Sequence, residues 1–142
     1  MTNEDRLSDA WEYARSYYKN AEVEREFELL AQFQPEVFAS YMSMRSGLFQ
    51  TPPEGALDRK TKELVILGIE CMARKTNPPP VGHTRHAIDA GATPKEVSEV
   101  VGLCIMLGGM VTYRESGRFV LREAVEHAAR LEGEQPEANE DA

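Results

Sequence analysis

Apolar residues recur along most of the chain at helical spacing. Leu7, Ala10, Trp11, Ala14, Tyr17, Tyr18 and Ala21 form one stripe, and neither Gly nor Pro interrupts residues 4–20, which predicts an amphipathic first helix. Val23, Phe27, Leu30 and Phe33 form a second stripe ending at Pro35. Proline fits the first turn of a helix, so Pro35 opens a third, carrying Val37, Phe38, Tyr41 and Met44. Residues 47–55 gather Gly47, Thr51, Pro52, Pro53 and Gly55 and predict a surface loop.

Beyond that loop Asp58 offers an N-cap, and a long helix to about Arg74 carries Leu64, Val65, Leu67, Gly68, Cys71 and Met72 on a wide apolar face. Pro78, Pro79 and Pro80 stop it, because proline lacks the amide donor and disfavours helix in the residue before it. A short helix from Gly82 to Ala90 closes at Gly91. Thr93, Pro94, Lys95 and Glu96 then combine an N-cap, a proline at the first helical position and a capping-box glutamate, opening a helix to about Leu107. Gly108 and Gly109 break or bend the chain before a final helix with Gly117, Val120, Leu121, Ala124, Val125, Ala128 and Leu131 along one side.

No segment alternates with the period of a strand, so the fold class is all-α, with six to seven helices. Residues 1–132 are expected as one helical domain. The tail from Gly133 to Ala142 is acidic, contains Pro136 and lacks large apolar side chains, which predicts disorder.

Composition narrows the partners. Apolar residues are 42% and charged ones 28% of 142, enough for a real core. A net charge of −8 with scattered Lys and Arg excludes nucleic acid and anionic membrane, which require clustered cations. The longest apolar run, residues 100–111, falls short of the roughly 20 residues a spanning helix needs. The polar, acidic start MTNEDRLSDAWE has no signal-peptide pattern, so a cytoplasmic location is expected. Cys71 and Cys104 sit within apolar helical patterns and read as buried free thiols.

The candidate chemistry lies on two predicted helices. His83 and His86 stand three apart and share one side of their helix with Ala87 and Ala90. Imidazole titrates near neutrality, which suits acid/base work. Glu63 and Glu70, seven apart, share a face of the long helix among apolar residues, and burial would raise their pKa values. Arg85, between the histidines, could clamp a substrate carboxylate. His127 lies near the end of the last helix, where the helix dipole favours it, and is assigned no catalytic role.

The order LDRKTKEL (residues 57–64), His83, GATPKEVSEVV (residues 91–101) and Gly108-Gly109 resembles the core of the carboxymuconolactone decarboxylase-like superfamily, over about residues 35–125. The resemblance implies an alkylhydroperoxidase D-like helical bundle that assembles as a homotrimer or homohexamer, with sites near subunit contacts. The redox branch of that superfamily uses C-x-x-C-x-x-x-H with an upstream Glu resembling Glu63. Here Thr76 and Pro79 occupy the cysteine positions, and no Cys lies between Met72 and Leu103, so paired-thiol exchange is not available. The lactone decarboxylase branch keeps H-x-R-x-A, matched by His83, Thr84, Arg85, His86 and Ala87. The acidic residue that this branch carries before the GLDRKT-like motif has no counterpart in SGLFQTPPEG, residues 46–55.

The resulting expectation is a lyase or isomerase acting on a small organic acid or lactone, with His83 and Glu63 catalytic and Arg85 and His86 binding substrate. No cofactor is expected. The alternatives are a divalent metal held by His83, His86 and Glu63, a non-enzymatic oligomer that binds a ligand in the same pocket, and, least favoured, a thiol peroxidase using Cys71 or Cys104.

Overall fold

A computed structural model describes residues 1–18, 22–75 and 79–134. The helices are α1 (Asn3–Tyr18), α2 (Glu22–Phe33), α3 (Pro35–Leu48), α4 (Arg59–Met72), α5 (Val81–Asp89), α6 (Pro94–Gly108), a three-residue α7 (Met110–Thr112) and α8 (Arg118–Glu134), with a π-helical segment at Tyr113–Gly117. Because α7, the π segment and α8 run on without a break, they form one rod, and the described residues make seven rods in all. No strand occurs among them. The all-helical class expected from periodicity is the observed one.

Contacts divide the chain into two compact units, Met1–Ala56 and Leu57–Ala142. The first contains α1, α2 and α3 around Ala10, Ala14, Val23, Phe27, Ala31, Phe38, Ala39 and Met42. Phe38 is its centre, 4.7 Å from the Trp11 ring and 5.6 Å from that of Phe27, centroid to centroid. Each such ring contributes about 1.5–3 kcal/mol by burial. Pro35 occupies the first turn of α3 as expected. That helix runs through Gly47 to Leu48, further than the breaker-rich composition of residues 47–55 predicts. Arg45 is buried there, its guanidinium 4.3 Å from the Tyr17 ring and 4.6 Å from that of Phe49, a cation-π arrangement that suits a weakly hydrated ion.

In the second unit, α4 packs on α5 and α6, and α8 packs on the same two helices. Leu67, Cys71, Ala87, Ile88, Val97, Val101, Val120 and Ala124 fill the space between them. The starts of these helices follow local chemistry. Asp58 accepts from the Thr61 amide at 2.7 Å, and Thr93 and Glu96 close a full capping box. Glu96 also accepts from Lys60 Nζ at 3.0 Å, tying the start of α6 to α4.

α6 stops at Gly108, where Gly109 takes φ 78°, a conformation that favours glycine. The π segment is absent from the sequence expectation of one regular last helix. Within it Gly117 lies so near α6 that a Cβ would come 2.8 Å from Val101 Cγ1, and Ser116 Oγ donates to the Lys75 carbonyl at 3.1 Å. α8 continues through Gly133 and Glu134, two residues into the segment expected to be disordered, and residues 135–142 lie outside the described chain, as do Ala21, Thr76 and Pro78. No helix among the described residues is long and apolar enough to cross a membrane.

Candidate active site

Glu63 sits in the second turn of α4, five residues beyond its Asp58 cap, and its side chain is fully buried. A carboxylate without water must find charged or hydrogen-bonding partners. α5 supplies them. Thr84, itself buried, donates to the Pro80 carbonyl at 2.9 Å at the start of α5, and the helix presents His83 and His86, one turn apart, to Glu63. His83 Nδ1 lies 2.7 Å from Glu63 Oε2. His86 Nδ1 stands 3.8 Å from Glu63 Oε1, too far for a hydrogen bond. The two imidazoles meet edge to face, centroids 5.7 Å apart. From one turn earlier on α4, Arg59 brings Nε to 3.9 Å from Glu63 Oε1.

With a carboxylate at Glu63, a neutral His83 donates through Nδ1 and keeps its lone pair on Nε2, an arrangement able to take up a proton at Nε2. Burial pushes the pKa of His86 below its ordinary 6.5, against the upward pull of Glu63, so His86 is a neutral imidazole at neutral pH. Nitrogen and oxygen atoms of Glu63, His83 and His86 lie within 4.8 Å of one another, close enough to hold a metal ion.

The other nominated residues have partners of their own. Arg85 Nε donates to Glu123 Oε1 on α8 at 2.7 Å, and Arg130 Nη2 reaches the same oxygen at 2.6 Å. The Arg85 guanidinium, followed by that of Arg130, holds the Glu123 carboxyl below its usual range against the effect of burial. His127 Nε2 lies 2.7 Å from Asp89 Oδ1. Glu70, on the same face as Glu63, pairs instead with Lys75 at 3.0 Å. Cys71 and Cys104 are buried free thiols as expected. Burial pushes Cys71 up to about 11 and Cys104 upward as well, which keeps both protonated and poorly nucleophilic near neutrality.

Two residues that matter here escape the sequence reading. The i, i+4 spacing of Arg59 and Glu63 is a legible pairing signal. Glu123 offers no comparable signal, since its partner Arg85 is 38 residues away.

Residues 35–123, which include Glu63, His83 and His86, match the model of the carboxymuconolactone decarboxylase family. The chain belongs to this family. A crystal structure of a "putative carboxymuconolactone decarboxylase" from Burkholderia xenovorans LB400 is similar to it, with a TM-score of 0.79 and 28% identity over 95% of this chain and 100% of that one. No functionally curated protein matches the chain. Among carboxymuconolactone decarboxylase family sequences, this one carries the histidine without a C-x-x-C before it.

Proposed function

We propose that this family member is a lyase or isomerase acting on a small organic acid or lactone by proton transfer at His83. The observation that carries the reading is the 2.7 Å contact between His83 Nδ1 and the fully buried Glu63. A buried carboxylate fixes the imidazole tautomer and stabilises the imidazolium that forms when Nε2 takes up a proton, as in the carboxylate–histidine pairs of hydrolases. In a decarboxylation the bond to the substrate carboxylate breaks, CO2 leaves, and its electron pair passes into the conjugated carbonyl system. The imidazolium then delivers its proton to carbon. In an isomerisation the same nitrogen takes a proton from one carbon and returns it to another.

Substrate recognition falls to the groups around the dyad. His86, a neutral imidazole, offers one donor and one acceptor. Anchoring of a substrate carboxylate by Arg85 would compete with Glu123, which accepts from its Nε. Arg59, beside Glu63, is therefore favoured as the cation that takes that carboxylate. The reaction so drawn calls on no cofactor.

Self-association belongs to the same reading. Val65, Ile69 and Met72 of α4 and Leu103 and Leu107 of α6 remain exposed around an apolar groove of about 490 Å³. Such a face supports burial against further copies of the chain, as a homotrimer or homohexamer. Light scattering on the purified protein reads the oligomer directly.

The function is tested by assaying CO2 release and solvent deuterium uptake over a panel of lactone and unsaturated acids. For a substrate that turns over, His83→Ala is expected to lower kcat about 10²–10⁴-fold. Unchanged turnover in that variant would reject His83 as the proton carrier.

A further inference from the structure

The environment of Glu63 contains more than a catalytic pair requires. His83 alone satisfies one carboxylate oxygen, yet a second imidazole is brought to 3.8 Å from the other oxygen, beyond hydrogen-bond reach. Zinc-like ions take imidazole nitrogen and carboxylate oxygen at about 2.0–2.2 Å in tetrahedral geometry, which sets their ligands about 3.3–3.6 Å apart. The His86 Nδ1–Glu63 Oε1 separation of 3.8 Å is slightly longer than this and the His83 Nδ1–Glu63 Oε2 separation of 2.7 Å shorter, while the donor atoms of all three side chains lie within 4.8 Å of one another. Small side-chain rotations that open one distance and close the other are what a bound ion requires.

We propose that Glu63, His83 and His86 form a binding site for one divalent transition-metal ion, and that its occupancy switches off the proton chemistry of His83. Two imidazoles and one carboxylate select zinc, cobalt, nickel or ferrous ions over magnesium or calcium, which require oxygen ligands. The side chains contributed by α4 and α5 leave at least one coordination position for water. The ion takes the place of the proton on His83 Nδ1: the Nδ1–H bond breaks, the N–metal bond forms, and the ring proton is restored from solvent at Nε2, so no net proton is lost from the imidazole. Nε2 then carries a hydrogen in place of the lone pair that made it a base. Arg59, with Nε 3.9 Å from Glu63 Oε1, opposes the added positive charge and weakens binding. Its side chain is about two-fifths exposed and has water to move into.

Metal binding does not depend on the proposed reaction, whereas the switching-off rests on it, and the two are read separately. Chain without a histidine tag, stripped with a chelator, is titrated with zinc chloride by calorimetry and with cobalt chloride by visible absorption. One ion per chain is expected, with the absorption of a low-coordinate cobalt–imidazole site. His86→Gln should weaken binding at least tenfold and Arg59→Gln should tighten it several-fold. His127→Gln, at the separate His127–Asp89 pair, should leave it unchanged. Thermal melts of the metal-free variants check that each is folded, and Arg59→Gln keeps all three ligands if His86→Gln is not. Absence of binding below millimolar metal, or equal binding by folded His86→Gln, would overturn the site. Turnover that rises on chelation supports the switch. Turnover that requires the ion would overturn the switch and the metal-free reaction while leaving the site intact.

Discussion

Glu63 on α4 and Glu123 on α8 are both buried carboxylates held by residues of α5, and the difference lies in what holds them. Glu123 accepts from the guanidinium groups of Arg85 and Arg130. Guanidinium does not give up its proton in proteins, so that cluster stays an ion pair until acid protonates the Glu123 carboxylate itself. Glu63 faces two imidazoles, whose ring nitrogens can serve as donor or acceptor. One short helix thus offers a guanidinium to one carboxylate and imidazoles to the other. The chemical type of the partner, more than burial or distance, separates them.

The largest expected effect is on activity. Glu63→Gln should reduce kcat by about 10²–10⁴-fold, comparable to loss of the base itself, while Glu123→Gln keeps activity within a few-fold. Equal losses in both variants would erase the distinction. Stability should move the other way. Glu123→Gln leaves two permanent cations facing a neutral amide and should cost about 1–3 kcal/mol in urea unfolding. Glu63→Gln should cost less, because His83 and His86 can remain neutral beside it.

A smaller effect concerns pH. The carboxyl of Glu123 titrates below its unfolded value in the native chain, so its contribution is complete above the ordinary glutamate range. It is lost as pH falls through the folded value. The acid limb of the stability curve should therefore be shallower in Glu123→Gln than in the parent, and coincident limbs would show that the arginines do not hold the carboxylate. The smallest effect is expected at His127→Gln, where the partner Asp89 is half-exposed. A change in stability beyond about 1 kcal/mol there would mean that the α5–α8 contacts are not mainly the work of Glu123.

Much of this architecture can be read from the chain because its signals are local. Asp58, Thr93–Glu96 and Pro35 announce helix starts within a few residues, and each helix begins where they say. The Glu63–His83 contact joins residues 20 apart on different helices. Periodicity and the motif order could name both side chains but not pair them, because their contact depends on how α5 is turned against α4. Glu70 shows the same limit. It shares the face of Glu63, but seven residues displace it about 10 Å along the helix, where Lys75 meets it in place of a histidine. Arg85 was legible as a cation near the histidines, whereas its engagement by Glu123 depends on how α8 is turned. The π segment left no trace in the pattern, and in the fold it coincides with the close approach of Gly117 to Val101, residues 16 apart on different helices.

That segment also makes the molecule sensitive to chain length in an uncommon way. Each residue added to or removed from a helix turns everything beyond it by about 100°. Loss of a single residue within Tyr113–Gly117 would redirect Glu123 and His127 away from Arg85 and Asp89, without altering any of those four side chains. Insertions and deletions in these five positions should therefore be tolerated far less than substitution of Arg114, the exposed one among them. The spacing between Gly109 and Glu123 is as much a part of the structure as the residues themselves.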